Sequence, residues 1–380
     1  MNSLYVVFSD TTGARILTPR SERISGLRFS TAVDAGYKDL SCHYAGNLTD
    51  AFLWYLERLN YRVQVYEGDT VRWEGRISGV EVTDSGINIS GRGYYRAAYD
   101  QFYSGTFSAA EHANSIITTV ITASCPNLLA GTIGDPGTVI ANITYGDNQY
   151  PGDIFTKLAE VGSATARWHW AVWENKKVDF AAKNTTINWR CGLRDLGPGG
   201  LSLRRDLEEI WNSIYATYAA AGVRSTTAVA ANTASQTKYG LTRSRTINAG
   251  QVTATVAQAL RDVFLAEHAD IPQQSTLRLN DMVYGADTGR IGVRIPLWRI
   301  RAGDVLQIHD LVPASTMIDS PGLDALRTFS IIGTEYDVDA NVMTLSPDRP
   351  AQTTDRILSA LALSTGDNVQ RLAAYFTRTS

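Results

Sequence analysis

Two kinds of residue in this 380-residue chain could carry chemistry: carboxylates set along strand-like text, and a tight run of tryptophans. Glu335 and Asp337 sit in one strand-like stretch, where Asp337 and Asp339 flank Val338 and so face one side, and Asp206, Glu208 and Glu209 gather in another. Two carboxyls facing each other across a cleft can cleave a glycosidic bond, and they need no local motif. Trp168, Trp170 and Trp173 would offer ring faces for a sugar. Together they make a carbohydrate-active β-rich enzyme, a glycoside or cell-wall hydrolase, the alternative to weigh. The plainer reading is structural. Strand edges in water account for such carboxylates, and tryptophans at period two fill a core against a neighbouring helix.

Other chemistry finds little footing. The five histidines (His43, His112, His169, His268, His309) are scattered, with no metal-ligand spacing. Gly91-Arg-Gly93 is a fragment of a dinucleotide fingerprint and follows a strand, so a bulge or tight strand exit explains it better than a phosphate loop. Cys42, Cys125 and Cys191 are far apart and read as buried thiols. No residue is assigned a catalytic, cofactor-binding or metal-binding role, and a secreted β-rich binding module is disfavoured by those unpaired cysteines.

The elements that would position any site are mostly strands. Tyr61, Val63 and Val65 alternate with Arg62, Gln64 and Tyr66; Val71 and Trp73 with Arg72 and Glu74; Ile87 and Ile89 with Asn88 and Ser90. That is antiparallel patterning with one dry face and one wet. Gly68-Asp69 and Ser85-Gly86 supply turns. Phe52, Leu53, Leu56 and Leu59 fall at helical spacing over 48–59. Further helices are expected from Ser108 to Ala123, from Pro151 to about 162, over 253–268 and in the tail over 354–376, while the Ala/Thr/Ser-rich run 219–237 reads as a surface hairpin tip or flexible loop. Trp168 to Trp173 and Lys177 to Phe180 read as a hairpin around Glu174-Asn175.

Composition sets outer bounds. At 44% hydrophobic and 19% charged, with no bilayer-length apolar run, the chain suits a globular protein without stable membrane insertion. The N-terminus reads as a first strand and not as a signal peptide. A net charge of −3 argues against a general nucleic-acid binder, though not against a channel through which DNA slides.

Two stretches about 230 residues apart look alike. Tyr61 to Gly93 and Gly292 to Leu345 each place alternating strands around a Gly-Asp step, Gly68-Asp69 and Gly303-Asp304. Glu67-Gly-Asp-Thr-Val-Arg-Trp-Glu-Gly-Arg-Ile77 leads to Ile89-Ser-Gly-Arg-Gly-Tyr94; Leu207 to Tyr218 is followed by Ser235 to Gly240; Ile300 to Ile308 is followed by Phe329 to Tyr336 and Met343 to Pro347. In order and spacing this resembles the baseplate hub and tail-tip hub proteins of long-tailed bacteriophages and related injection machines.

The resemblance implies a mainly β chain with α+β insertions: two tail-tube-like antiparallel β-barrel domains, a small α/β insert between them, and C-terminal helices. The expected boundaries are 1–105 for the first barrel, 106–190 for the insert, 191–350 for the second barrel and 351–380 for the tail. It further implies a structural virion protein, not an enzyme, located in the virion tail and assembled in the host cytoplasm. Three copies would form a homotrimeric ring matching a hexameric tail tube, with tail-tube or distal tail, tape-measure and tip, spike or fibre proteins as neighbours. DNA would be a partner only in transit. Duplex DNA carries about one negative charge per 1.7 Å, so a conduit that must not bind it should be neutral or acidic. Glu67, Glu74, Glu81, Asp84, Asp304 and Asp337 are the candidate lumen or rim residues. Ile357, Leu361, Leu372 and Phe376 are the candidates for docking a neighbouring tail protein.

Overall fold

The computed structural model describes residues 4–348 apart from 20, 47–53, 138, 141–142, 162–167, 206–207, 209, 221–222, 251–253, 270–272, 281, 287–293 and 312–326. The C-terminal helices expected over 354–376 therefore lie outside the described residues.

The first strand system comprises β1 (Leu4–Ser9), β2 (Arg15–Leu17), β3 (Ile24–Ala32), β4 (Gly36–Tyr44), β5 (Arg62–Glu67), β6 (Thr70–Thr83) and β7 (Gly86–Gly93). These pair antiparallel in the order β2-β1-β5-β6-β7-β4-β3. Val63, Val65, Trp73, Ile87 and Ile89 are buried as their alternation requires. The opposite face was expected to be wet, yet Gln64 and Glu74 are buried there as well, and Glu67, in phase with Val63 and Val65, is buried too. Period two reports that the faces differ, and cannot tell solvent from a second layer of protein. Residues 54–57 are helical, but the face that packs is Trp54, edge-on to Phe8 at 4.7 Å, while Leu56 and Leu59 are exposed.

The inserted unit follows, with β8 (Tyr103–Phe107), β9 (Glu111–His112), α1 (Ala113–Ser124), β10 (Leu129–Ile133), β11 (Val139–Ile140), β12 (Ile143–Gln149), α2 (Pro151–Val161), β13 (Trp168–Val172) and β14 (Lys177–Ala182). α1 begins after His112, not at Ser108, because 103–107 pairs with β12 and 111–112 with β11. Ile116, Ile117, Val120, Ile154, Phe155, Trp170 and Phe180 meet in a core of their own. Each such side chain, fully buried, contributes roughly 1.5–3 kcal/mol. Gly36 anchors this unit: at φ +81°, a Cβ there would stand 2.2 Å from the Val172 carbonyl oxygen, so only glycine permits the approach.

Next come β15 (Trp189–Cys191) and β16 (Leu196–Arg205). Between them and the remaining strands sits a third unit: β17 (Ser213–Ala220), β18 (Val223–Thr226), β19 (Ala230–Ala231), α3 (Thr233–Tyr239), β20 (Ser244–Gly250) and α4 (Ala254–His268). It has its own sheet and its own small core around Ile214, Ile247, Ala257 and Phe264. The sequence placed this region inside the second barrel, and read the segment now seen as α3 as loop. Its apolar periodicity is absent; its caps are not, since Asn232 accepts from the Ser235 N–H at 3.0 Å and Gly240 closes the helix at φ +64°.

The second strand system is completed by β21 (Gln273–Leu279), β22 (Met282–Gly285), β23 (Arg294–Pro296), β24 (Val305–Ile308), β25 (Thr328–Asp337) and β26 (Val342–Pro347), in the order β16-β21-β26-β25-β24-β15-β22-β23. The two Gly-Asp steps are not equivalent. Gly68-Asp69 turns β5 into its partner β6, whereas the strands flanking Gly303-Asp304 pair elsewhere, β23 with β22 and β24 with β25 and β15.

β25 joins the halves. Its beginning pairs with β24, and Gly333 to Asp337 pairs along the same edge with β3, from Ala32 back to Arg28. The two strand systems thus form one continuous sheet over one core in which Phe8, Trp73 and Ile89 belong to the same cluster as Leu277, Ile308 and Met343.

Candidate assembly and channel surfaces

Three of the six acidic residues expected at a lumen are withdrawn from it. Glu67, at the end of β5, is buried, and its carboxylate accepts from Arg72 Nε at 2.7 Å and from Arg299 at 2.8–3.2 Å. Burial pushes the Glu67 carboxyl up, but the two guanidinium groups outweigh it and hold it below its ordinary value. Glu74 is fully buried and accepts from Arg62 Nη2 at 2.9 Å and Gln64 Nε2 at 3.1 Å. Asp304 pins its own turn, accepting from the Arg301 N–H at 2.8 Å and Trp189 Nε1 at 2.7 Å. Burial raises its carboxyl despite those donors. A charge enclosed and bonded inside one chain presents no field to a channel.

The other three stay at the surface. Glu81 and Asp84 are exposed near the tip of the β6–β7 hairpin, Glu81 accepting from Asn88 Nδ2 at 2.9 Å. Asp337 pairs with Arg28 at 2.8 Å; the Ala340 N–H, against burial and together with Arg28, holds its carboxyl low. The docking candidates Ile357, Leu361, Leu372 and Phe376, and the carboxylates Asp206 and Glu209, lie outside the described residues.

Sequence reading missed the groups that bind the halves. Glu174, in the β13–β14 turn, accepts from Tyr37 Oη at 2.8 Å and pairs with Arg301, whose guanidinium lies 5.4 Å from the Tyr37 ring centroid and 5.3 Å from that of Trp173. One carboxylate thereby ties the insert to both strand systems. The signal lay in Arg299-Ile-Arg301, two cations bracketing an apolar residue, which needed buried acids as partners.

Across the seam of β4, β3, β25 and β26 runs a polar trough of about 420 Å³. Arg28, Ser30, Lys38, Asp39, Glu335 and Ser346 line it, two basic groups against two acidic. Its charge is balanced, so it offers nothing for a polyanion to hold.

No protein-family model and no curated protein matches the chain. Solved structures do. The 43 kDa tail protein of prophage MuSo2 from Shewanella oneidensis aligns over 93% of this chain and 99% of its own, at 15% identity and a TM-score of 0.60. A tail protein from Neisseria meningitidis aligns over 94% and 98%, at 11% identity and a TM-score of 0.57. A prophage tail protein from Listeria monocytogenes aligns over 96% and 99%, at 11% and 0.53. This chain has the fold of prophage tail proteins.

Among the described residues the tryptophans weighed for a sugar site are packed against other side chains. Trp170 is fully buried, edge-on to Phe155 at 5.4 Å, and donates to Thr156 Oγ1 at 2.9 Å, so no face is left for a sugar. Trp168 packs on Phe180 and Trp173 on Tyr37. Glu208 is spent on Arg243 at 2.6 Å. Gly91 and Gly93 serve packing: a Cβ on Gly93 would lie 1.7 Å from the Tyr37 carbonyl oxygen. No cluster of metal-ligating side chains occurs among the described residues, and no described helix is long and apolar enough to cross a membrane. The tail-protein fold does leave an exposed apolar group on the 54–57 helix and just beyond it, Tyr55, Leu56 and Leu59, with Leu56 72% exposed.

Proposed function

We propose that the chain is a structural protein of a phage or prophage tail, the hub of its tip or baseplate. Three copies form a closed ring, and the two strand systems of each copy present six repeats to a six-fold tail tube. Carrying this reading is the β3–β25 pairing, which sets two strand systems edge to edge within one chain. A rotationally closed trimer uses a heterologous contact between neighbours, and Tyr55, Leu56 and Leu59 are the apolar group most available for it.

In this reading the trough over β3, β4, β25 and β26 faces the conduit, with Glu81 and Asp84 toward its rim. Its balanced charge lets DNA pass without being held. The neighbours are a tail-tube or distal tail protein, the tape-measure protein and a tip, spike or fibre protein, and assembly takes place in the host cytoplasm before the particle is released. The chain works by geometry and not by turnover.

Electron microscopy of the purified chain, with mass measured in parallel, tests this. The expected result is a three-fold ring with six similar lobes around a central opening. A monomer or two-fold dimer that stays so in the presence of tail-tube protein would refute it.

A further inference from the structure

A second cavity, of about 100 Å³, lies between the first strand system and the inserted unit. Its walls come from separate pieces of chain: Thr12 in the β1–β2 turn, Asn60 and Arg62, Arg76 in β6, Asn127 after α1, and Lys176 in the β13–β14 turn. Three cations converge on this small space, and two are matched. Arg62 pairs with Glu74 at 2.9 Å, and Arg76 grips Asp100 through two contacts of 2.6 Å.

Lys176 is the cation left over. It has no carboxylate within ion-pair distance among the described residues, and its ammonium rests 4.8 Å from the centroid of the Tyr94 ring. A ring face attracts a cation without cancelling its charge. Arg62 Nε is also buried without a partner, as is Oε1 of its ion-pair partner Glu74. Burial, and then the charge of Arg62, pull the Lys176 pKa below its ordinary value although Glu74 opposes them.

The position of Lys176 is imposed. Asn175 and Lys176 both have φ of 61°, left-handed backbone that lysine rarely adopts. Glu174 and the Asn175 N–H, which donates to Glu74 Oε2 at 3.4 Å, fix the turn on either side. The neutral walls supply further donors, the side-chain amides of Asn60 and Asn127; the Thr12 hydroxyl already donates to Asp10 Oδ1 at 2.7 Å.

We propose that this pocket binds a small oxyanion, with Lys176 as the charge that holds it and Asn60 and Asn127 as orienting donors. The size suits one phosphate ion or one carboxylate head; drug-sized ligands occupy about 300–1,000 Å³. The oxyanion comes either from free phosphate or from an acidic side chain of a second copy of this chain. The pocket lies within one chain, so the inference stands or falls independently of the tail-hub reading.

Titration calorimetry of the full chain with inorganic phosphate at fixed ionic strength, beside sedimentation of the same samples, tests it. Saturable phosphate binding that weakens about tenfold or more in Lys176→Met and survives in Lys176→Arg supports a free ion. If phosphate does not bind, but the wild type is an oligomer that K176M and not K176R dissociates, the oxyanion is a carboxylate from a neighbouring copy. Asn127→Leu, a charge-neutral change at an exposed position, weakens the same readout and decides the matter if K176M does not fold. Phosphate binding equal in wild type and K176M, or no binding together with an oligomer mass that K176M leaves alone, overturns the inference.

Discussion

Arg299 holds the buried carboxylate of Glu67 across 232 residues of sequence, through contacts of 2.8, 3.0 and 3.2 Å. The first residue belongs to the second strand system and the second closes β5 of the first. Removing one partner of a buried pair costs about 3–5 kcal/mol. Arg72 stays on Glu67, and Arg299 is itself one-third exposed, which lowers the expectation. Arg299→Met should therefore destabilise the chain by about 2–3 kcal/mol, read as a lower urea midpoint at unchanged slope. A change below about 0.5 kcal/mol would mean that the pair does not hold the halves together.

Acid should weaken the same seam. The Glu67 and Glu174 carboxyls lie below their ordinary values: burial alone would raise both, and the arginines beside them win. A lowered carboxyl contributes stability above its unfolded-state value, about 4.3, and loses it as pH falls through the folded-state value. Asp304 works the other way, because burial raises it and acid relieves that cost. Asp337, held low by the Ala340 N–H and by Arg28 across the β3–β25 join, adds a third lowered group against one raised, so the urea midpoint should drop as pH goes from 5 toward 3, and drop less in Arg299→Met. An acid-insensitive midpoint would contradict this.

What the sequence made legible was local. The β5–β6 and β6–β7 turns, the α1 face of Ile116, Ile117 and Val120, the opening of α2 at Pro151 and the hairpin around Glu174-Asn175 all lie where their spacing puts them. Long-range relations were not legible. Nothing in the alternation of β5 and β6 says that its polar face meets other protein, so Glu74 reads as a surface acid and is an internal partner, whereas Glu67 stands in phase with the dry Val63 and Val65 and is buried with them. Gly303-Asp304 resembles Gly68-Asp69 as text, yet β24 finds β25 and β15 rather than β23. Pairing choice is decided by what lies opposite, which a single strand's pattern does not encode.

Gly36→Ala should loosen the insert selectively. The added Cβ would stand 2.2 Å from the Val172 carbonyl oxygen, on backbone at φ +81° that disfavours any side chain. The contact it breaks is also where the Val172 N–H donates to the Ala35 carbonyl at 3.0 Å. Hydrogen exchange at Val172 and along β13 should accelerate by tenfold or more, about 1.4 kcal/mol of lost protection, while the β6–β7 amides change little. Uniform loss across both would mean that the insert and the strand systems unfold as one unit.

Leu56→Glu separates folding from assembly. Leu56 is 72% exposed and outside the core cluster, so the substitution should shift stability by no more than about 0.5 kcal/mol. At a heterologous subunit contact the same change buries an unpaired charge against the neighbour, a cost of several kcal/mol that a three-fold ring would meet three times over. The expected outcome is a chain with wild-type circular dichroism and urea midpoint whose sedimentation mass falls from trimer to monomer. A trimer that persists in Leu56→Glu, and in Tyr55→Glu as well, would move the ring contact away from this apolar segment. A lost trimer with a lowered midpoint would instead mark these side chains as part of the fold. The two measurements must therefore be made on the same sample: the midpoint reads the intrachain role, and the mass reads the contact between copies.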